Sequence, residues 1–161
     1  MKNVLFLGLG SIGQRHFRNL KKIDKQIKFY SIRQKNNAPQ LNSTNQVTKK
    51  KFLSKSNKIK EITWSDIKKY EIDTAFVTNP TSLHAKTALK LARLNLNLFI
   101  EKPLSNNLKN ILELKNTLKK NELNCEIGFQ TRYDEQLIKL KKIIKSKKYG
   151  QIIKCNINHC Y

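Results

Sequence analysis

Three glycines raise the first chemical question. The run from Val4 to His16 reads VLFLGLGSIGQRH, and Gly8, Gly10 and Gly13 fall in the spacing G-x-G-x-x-G. An apolar run, Val4–Leu7, precedes them and a helical pattern follows, so the glycines sit at a strand–turn–helix junction. There Gly8 permits the tight turn, Gly10 lets the backbone approach a pyrophosphate, and Gly13 lets helix and strand pack closely. The helix-start amides, with Ser11 and Ile12, then face phosphate oxygens, aided by the helix dipole. The competing reading is a glycine-rich turn that binds nothing.

A dinucleotide site chooses its cofactor at the end of the second strand. An Asp or Glu about 20 residues beyond the glycines binds the ribose 2′-hydroxyl of NAD. This chain reads Tyr30-Ser31-Ile32-Arg33-Gln34 there, and the nearest acid, Asp24, precedes the strand. Ser31 can hydrogen-bond a 2′-phosphate and Arg33 can pair with it, which favours NADP over NAD. Arg33 facing solvent, or stacking on adenine with either cofactor, is the alternative.

The elements needed to position these residues follow from periodicity. Strands are expected at Val4–Leu7, Ile27–Ile32, Lys60–Thr63, Thr74–Thr78, Leu96–Ile100, Cys125–Phe129 and Gln151–His159. Helices are expected over Ser11–Lys22, with Ile12, Leu20 and Ile23 inward, and after Ser82, with Ala85, Ala88, Leu89 and Ala92 on one face. Further helices are expected over Asn107–Lys120, with Leu108, Ile111, Leu112 and Leu118 inward, and from Asp134, with Leu137, Leu140 and Ile144 together. Ser65-Asp66 reads as the cap of a short helix ending near Tyr70. Residues 34–57 are rich in Asn, Gln, Ser and Lys and contain Pro39, a composition that leaves their structure open, with room for a short helix and an excursion loop. Strands alternating with helices imply right-handed crossovers and an α/β, doubly wound parallel sheet.

Composition narrows the function classes. The 161 residues suit one domain or one domain plus the start of another, and 39% hydrophobic residues suffice for a core. No apolar run approaches the ~20 residues of a membrane span. We read no signal peptide or anchor, so the expected localisation is cytoplasmic. Cys125, Cys155 and Cys160 form no C-x-x-C, and Asn158-His159-Cys160 is too little for a metal site. The net charge of +22 makes nucleic acid a partner to consider. Lysine is spread along the whole chain, however, with Lys49-Lys50-Lys51 its densest run, and no nucleic-acid-binding signature accompanies it.

Three further stretches occur in order: Thr78-Asn79-Pro80-Thr81-Ser82-Leu83-His84, Glu101-Lys102-Pro103-Leu104 and Gly128-Phe129-Gln130-Thr131-Arg132-Tyr133. With the glycine run they resemble the Gfo/Idh/MocA family of NAD(P)-dependent oxidoreductases, over essentially the whole chain. The resemblance implies a Rossmann-type NAD(P)-binding domain and a sugar or nucleotide-sugar substrate. It implies that Lys102 reaches the nicotinamide and the substrate hydroxyl, as the catalytic residue. Thr78, Asn79 and Pro80 would border the adenosine and nicotinamide ribose, Glu101 would contact that ribose, and His84 would be structural or lie near the cofactor. Gln130 and Arg132 would lie near the cofactor and the domain junction. Pro103 would fix a turn, with a cis bond as an option. His16 reads as a packing residue, and Trp64 carries no functional signal.

In this family the general base, usually a histidine with a nearby aspartate, lies in a second domain whose open sheet is the substrate floor and often a dimer surface. Here residues 1–130 read as the dinucleotide-binding domain. Residues 131–161 read as a connecting helix and the first strand of a truncated substrate domain. His159 lies on that strand and does not match the family's catalytic helix. The chain then looks like the cofactor half of a sugar oxidoreductase: a fragment, the product of a disrupted reading frame, or a small binding protein completed by another chain. A homo-oligomer would form through the second domain if that were present. The alternatives to an enzyme are a non-catalytic NAD(P)-binding module that needs a partner chain and, on charge alone, a nucleic-acid binder.

Overall fold

The computed structural model describes residues 2–32, 40–41, 46–48 and 59–158. The chain divides into two compact units, Met1–Gly128 and Phe129–Tyr161.

The first unit is built on β1 (Asn3–Leu7), α1 (Ser11–Ile23), β2 (Lys28–Ile32), β3 (Gln40–Leu41), β4 (Val47–Thr48), β5 (Ile59–Glu61), β6 (Thr74–Val77), α2 (His84–Ala92), β7 (Asn97–Ile100), α3 (Ile111–Lys120) and β8 (Cys125–Ile127). Six strands form one sheet in the order β5-β2-β1-β6-β7-β8. Every pair in it is parallel. β3 and β4 pair antiparallel by themselves. The strand order reverses at β1, with β2 on one side and β6 on the other, and in such a sheet the crevice lies at the C-terminal ends of β1 and β6.

The apolar strands of this sheet are buried on both faces, as parallel sheets require. Val4 and Phe6 of β1 point to one face, with Phe17 of α1, Phe29 and Phe76. Leu5 and Leu7 point to the other, with Ala88, Leu89 and Leu91 of α2 and Leu114 of α3. The α1 face is an aromatic layer. Phe17 meets Phe29 edge-on at 4.8 Å, and Phe76 stacks on Phe99 at 4.8 Å. The opposite ends of β1 and β6 are joined by Asp73, whose Oδ2 accepts the backbone N–H of Lys2 at 2.6 Å and of Asn3 at 2.9 Å.

Several expected elements shift. α1 turns Gly13, Gln14 and Phe17 inward and leaves Ile23 79% exposed. Ile23 lies six residues beyond Phe17, about 240° around the helix, so it faces away from the sheet. α3 begins at Ile111, after Asn110 in the left-handed region at φ 67°. Leu108 therefore precedes the helix and is exposed, as is Leu112, while Leu114 supplies the buried anchor. Ser82 caps nothing: a 3-10 turn, Thr81–Leu83, leads into α2, whose start has no side-chain cap. The expected short helix is a 3-10 turn, Trp64–Asp66, closed by a capping box between Thr63 and Asp66 rather than by Ser65.

The second unit holds a 3-10 turn, Gln130–Tyr133, and α4 (Glu135–Ser146). Asp134 caps α4, accepting from the backbone N–H of Gln136 and Leu137. The strand expected over Gln151–His159 is not formed across residues 151–158, because no ladder partner pairs with it among the described residues. His159 and Cys160 lie outside the described residues, as do Arg33, Pro39 and Lys49-Lys50-Lys51. Among the described residues no helix is long and apolar enough to cross a membrane.

Candidate cofactor site

The crevice is shaped by three loops, each leaving the C-terminal end of a central strand. The loop after β1 carries the glycines. Gly8 has φ +103°, and a Cβ there would lie 2.8 Å from the Thr78 carbonyl oxygen and 2.9 Å from Asn79 Cα. The turn thus needs glycine both for its conformation and for the approach of the next loop. At Gly13 a Cβ would lie 2.4 Å from the Gly8 carbonyl oxygen, so α1 seats directly on the turn. Gln14 is fully buried, and its Nε2 donates to the Leu9 carbonyl at 2.7 Å.

The loop after β6 is tied to the first. Thr78 is buried, and its hydroxyl donates to the Gly8 carbonyl at 2.6 Å. Asn79 Nδ2 donates to Thr87 Oγ1 at 2.9 Å, and its buried Oδ1 has no hydrogen-bond partner among the described residues. Pro80 is exposed.

The loop after β7 carries Glu101-Lys102-Pro103, with a cis bond between Lys102 and Pro103. Glu101 is buried; its Oε1 lies 2.6 Å from His16 Nε2, and its Oε2 accepts the Lys102 backbone N–H at 3.1 Å. Lys102 itself is exposed. His84, 2% exposed, lies between two loops, with Nδ1 2.8 Å from the Pro103 carbonyl oxygen and Nε2 2.7 Å from that of Asn79.

The sequence-derived residues therefore divide. Gly8, Gly10, Ser11, Ile12, Gly13, Thr78, Asn79, Pro80, Glu101 and Lys102 lie on these three loops or the first turn of α1. Ser31 does not open toward a 2′-phosphate. It is fully buried inside β2, and its hydroxyl has no hydrogen-bond partner among the described residues. It is the penultimate residue of the strand and has neighbouring strands on both sides. His84 offers no free ring nitrogen to a cofactor, because both nitrogens face backbone carbonyls. Gln130 and Arg132 lie in the second unit, where Arg132 covers the Phe129 ring at 5.1 Å.

His16 is the residue whose part was missed. Its ring packs edge-on against Phe99 at 4.9 Å, as a packing residue should, but it also meets the Glu101 carboxylate. The two are 85 positions apart, so no local spacing announces the pair.

A family model described as the oxidoreductase family Gfo/Idh/MocA, with an NAD-binding Rossmann fold, matches residues 2–129. The chain belongs to the Gfo/Idh/MocA oxidoreductases. It is 28% identical over 148 residues to the uncharacterized oxidoreductase YrbE of Bacillus subtilis, covering 89% of this chain and 40% of that protein. It is 28% identical over 145 residues to a myo-inositol 2-dehydrogenase of Thermotoga maritima, covering 90% of this chain and 41% of that protein. The crystal structure of a myo-inositol 2-dehydrogenase from Lactobacillus plantarum superposes with a TM-score of 0.76 at 24% identity, over 94% of this chain and 43% of that one; it shares the fold. The chain thus spans about 40% of the length of the curated relatives it matches.

Whether this Gfo/Idh/MocA chain can accept a dinucleotide is tested at Gly10. Its φ of −67° is open to any residue, and an added Cβ would meet nothing within 4 Å. Among the described residues, packing gives no reason for glycine there. The amides at the start of α1 have no side-chain cap, and no acidic residue stands in its first turn. Open backbone beside an uncapped helix start suits a pyrophosphate.

Proposed function

We propose that the chain binds NAD(P) across the ends of β1 and β6 and forms the cofactor half of an oxidoreductase acting on a sugar or polyol. The open Gly10 backbone at the start of α1 is the observation that carries this reading. The loop from Gly8 to Gly13 would hold the pyrophosphate, and Asn79 and Pro80 would border a ribose. The bound nicotinamide supplies the hydride acceptor or donor. Lys102, exposed at the end of β7, would orient the reacting carbon and offset negative charge developing on its oxygen. The inositol dehydrogenases among the relatives support a polyol alcohol as the substrate class.

The missing acid at the end of β2 supports NADP as the better ligand, with Arg33 as the counter-charge. Titration with NADH and NADPH, followed by nicotinamide fluorescence, tests both levels. Binding of neither would overturn the proposal; tighter binding of NADH would overturn the NADP preference alone. Gly10→Val should keep the unfolding free energy within about 1 kcal/mol, because the space is open among the described residues. It should weaken cofactor affinity by about tenfold or more, equivalent to ~1.4 kcal/mol.

The alternative reading from the sequence is an NAD(P)-binding module without turnover of its own. A reduced-nicotinamide absorbance assay over a panel of cyclic polyols and sugars separates the two. Turnover that persists undiminished in Lys102→Ala would remove the lysine from the chemistry.

A further inference from the structure

We propose that His16 and His84 are positioning residues that bracket Lys102. This rests on Lys102 being the group at the reacting carbon. The backbone turn that presents Lys102 is gripped on each side by a histidine from a different helix. On the preceding side, His16 of α1 meets Glu101 Oε1 at 2.6 Å, while the other carboxylate oxygen accepts the Lys102 N–H at 3.1 Å. On the following side, His84 of α2 meets the Pro103 carbonyl at 2.8 Å and anchors its other nitrogen on the Asn79 carbonyl at 2.7 Å.

Each grip is itself held. The His16 ring is wedged at 4.9 Å from Phe99 and 5.6 Å from Phe76. Glu101 lies against Gly128, where an added Cβ would come 3.2 Å from Oε1 and 3.1 Å from the Phe99 ring, so the carboxylate has little room to swing. The Glu101 backbone N–H donates to the Val77 carbonyl at 3.0 Å, which fixes the start of the turn to β6. A lysine side chain is long and flexible, so its reach is set by the backbone it starts from. Two buried or half-buried imidazoles from opposite faces of the sheet set that backbone.

The test is amide exchange of the cofactor-free full chain, read residue by residue by NMR. In the native protein the Lys102 amide should exchange at least 100-fold slower than an unstructured amide. A rate near the unstructured value would overturn the proposal without any variant. His16→Ala and His84→Ala should each speed Lys102 exchange about tenfold or more while leaving the Leu9 and Ser11 amides within twofold. His16→Gln, which keeps a donor toward Glu101, should restore most of the protection. Uniform loosening of both loops, or no rescue by glutamine, would reduce the histidines to general packing and overturn the positioning role.

NADH binding gives a separate readout. Affinity should change less than threefold in His16→Ala, while the emission of the bound nicotinamide shifts in the same direction as in Lys102→Ala. If NADH does not bind the native chain, the cofactor reading fails, and the exchange data still decide whether the bracket exists. If NADH binds but Lys102→Ala leaves its emission unchanged, Lys102 is not beside the nicotinamide, and the bracket has no catalytic purpose.

Discussion

A Cβ added at Gly13 would press on a backbone oxygen that cannot move away, whereas one at Gly10 would enter open space. Gly13→Ala should therefore lower stability by roughly 1–3 kcal/mol in urea unfolding, because overpacking displaces backbone. The spacing G-x-G-x-x-G was legible as a motif and gave the two glycines different reasons; the structure shows the close packing at Gly13, while the ligand reason at Gly10 belongs to the proposal. Glu101 and His84 were likewise visible as motif residues, but the His16 partner of Glu101 lies 85 positions away and emerged only from the fold. Ser31 reads as a ligand contact because serine is polar; the sheet buries it instead. The thiols give a second residue-level expectation. Burial, followed by the charge of Glu126, pushes the Cys125 thiol up to about 11. Cys155 is exposed. A thiol reagent at pH 8 should label Cys155 rapidly and Cys125 more than tenfold more slowly, as followed by peptide mass, because the thiolate is the reactive form.

At the scale of elements, the strands were the readable part. Short apolar runs bounded by turn residues, such as Val4–Leu7 before Gly8 and Thr74–Thr78 before Asn79-Pro80, read as strands covered on both faces. The helix phases were less readable, because a lysine-rich helix with scattered leucines fits more than one face. α3 shows this: Leu112 looked inward and Leu114 is the buried one. Helix starts were also obscure where 3-10 turns intervene, as at Thr81–Leu83. Asp73 carries an element-level prediction. Burial works against its ionisation, but bonds from the Thr74 hydroxyl and the backbone N–H of Asn3 and Lys2 outweigh it, and its carboxyl sits below the ordinary value. A carboxyl lowered on folding stabilises the fold above its unfolded pKa of about 3.9, and that contribution is lost as pH falls through the folded value. Asp73→Asn should therefore cost about 1 kcal/mol at pH 7, discounted for partial exposure, and little near pH 2. Thermal unfolding across that range measures it.

For the whole molecule, charge and topology point in different directions. The net charge of +22 predicts weak, sequence-independent attraction to DNA. That affinity should fall by about tenfold or more between roughly 50 and 200 mM salt, in a filter-binding or fluorescence assay, because it reflects counterion release. Affinity that resisted salt and discriminated between sequences would contradict the reading of this charge as diffuse. The six strands of the parallel sheet were legible through β8, whereas the short β3–β4 pair and residues 151–158 were not, since a strand is defined by neighbours that its own sequence does not contain. Strand order has a consequence for synthesis. β1 is made first and lies at the centre of the sheet, between β2 and β6. Its pairing with β6 joins residues 70 positions apart. At about 5–20 residues per second, roughly 4–14 s of translation separate the two. During that interval a strand with four consecutive apolar residues, Val4–Leu7, waits with the edge that β6 will cover still open.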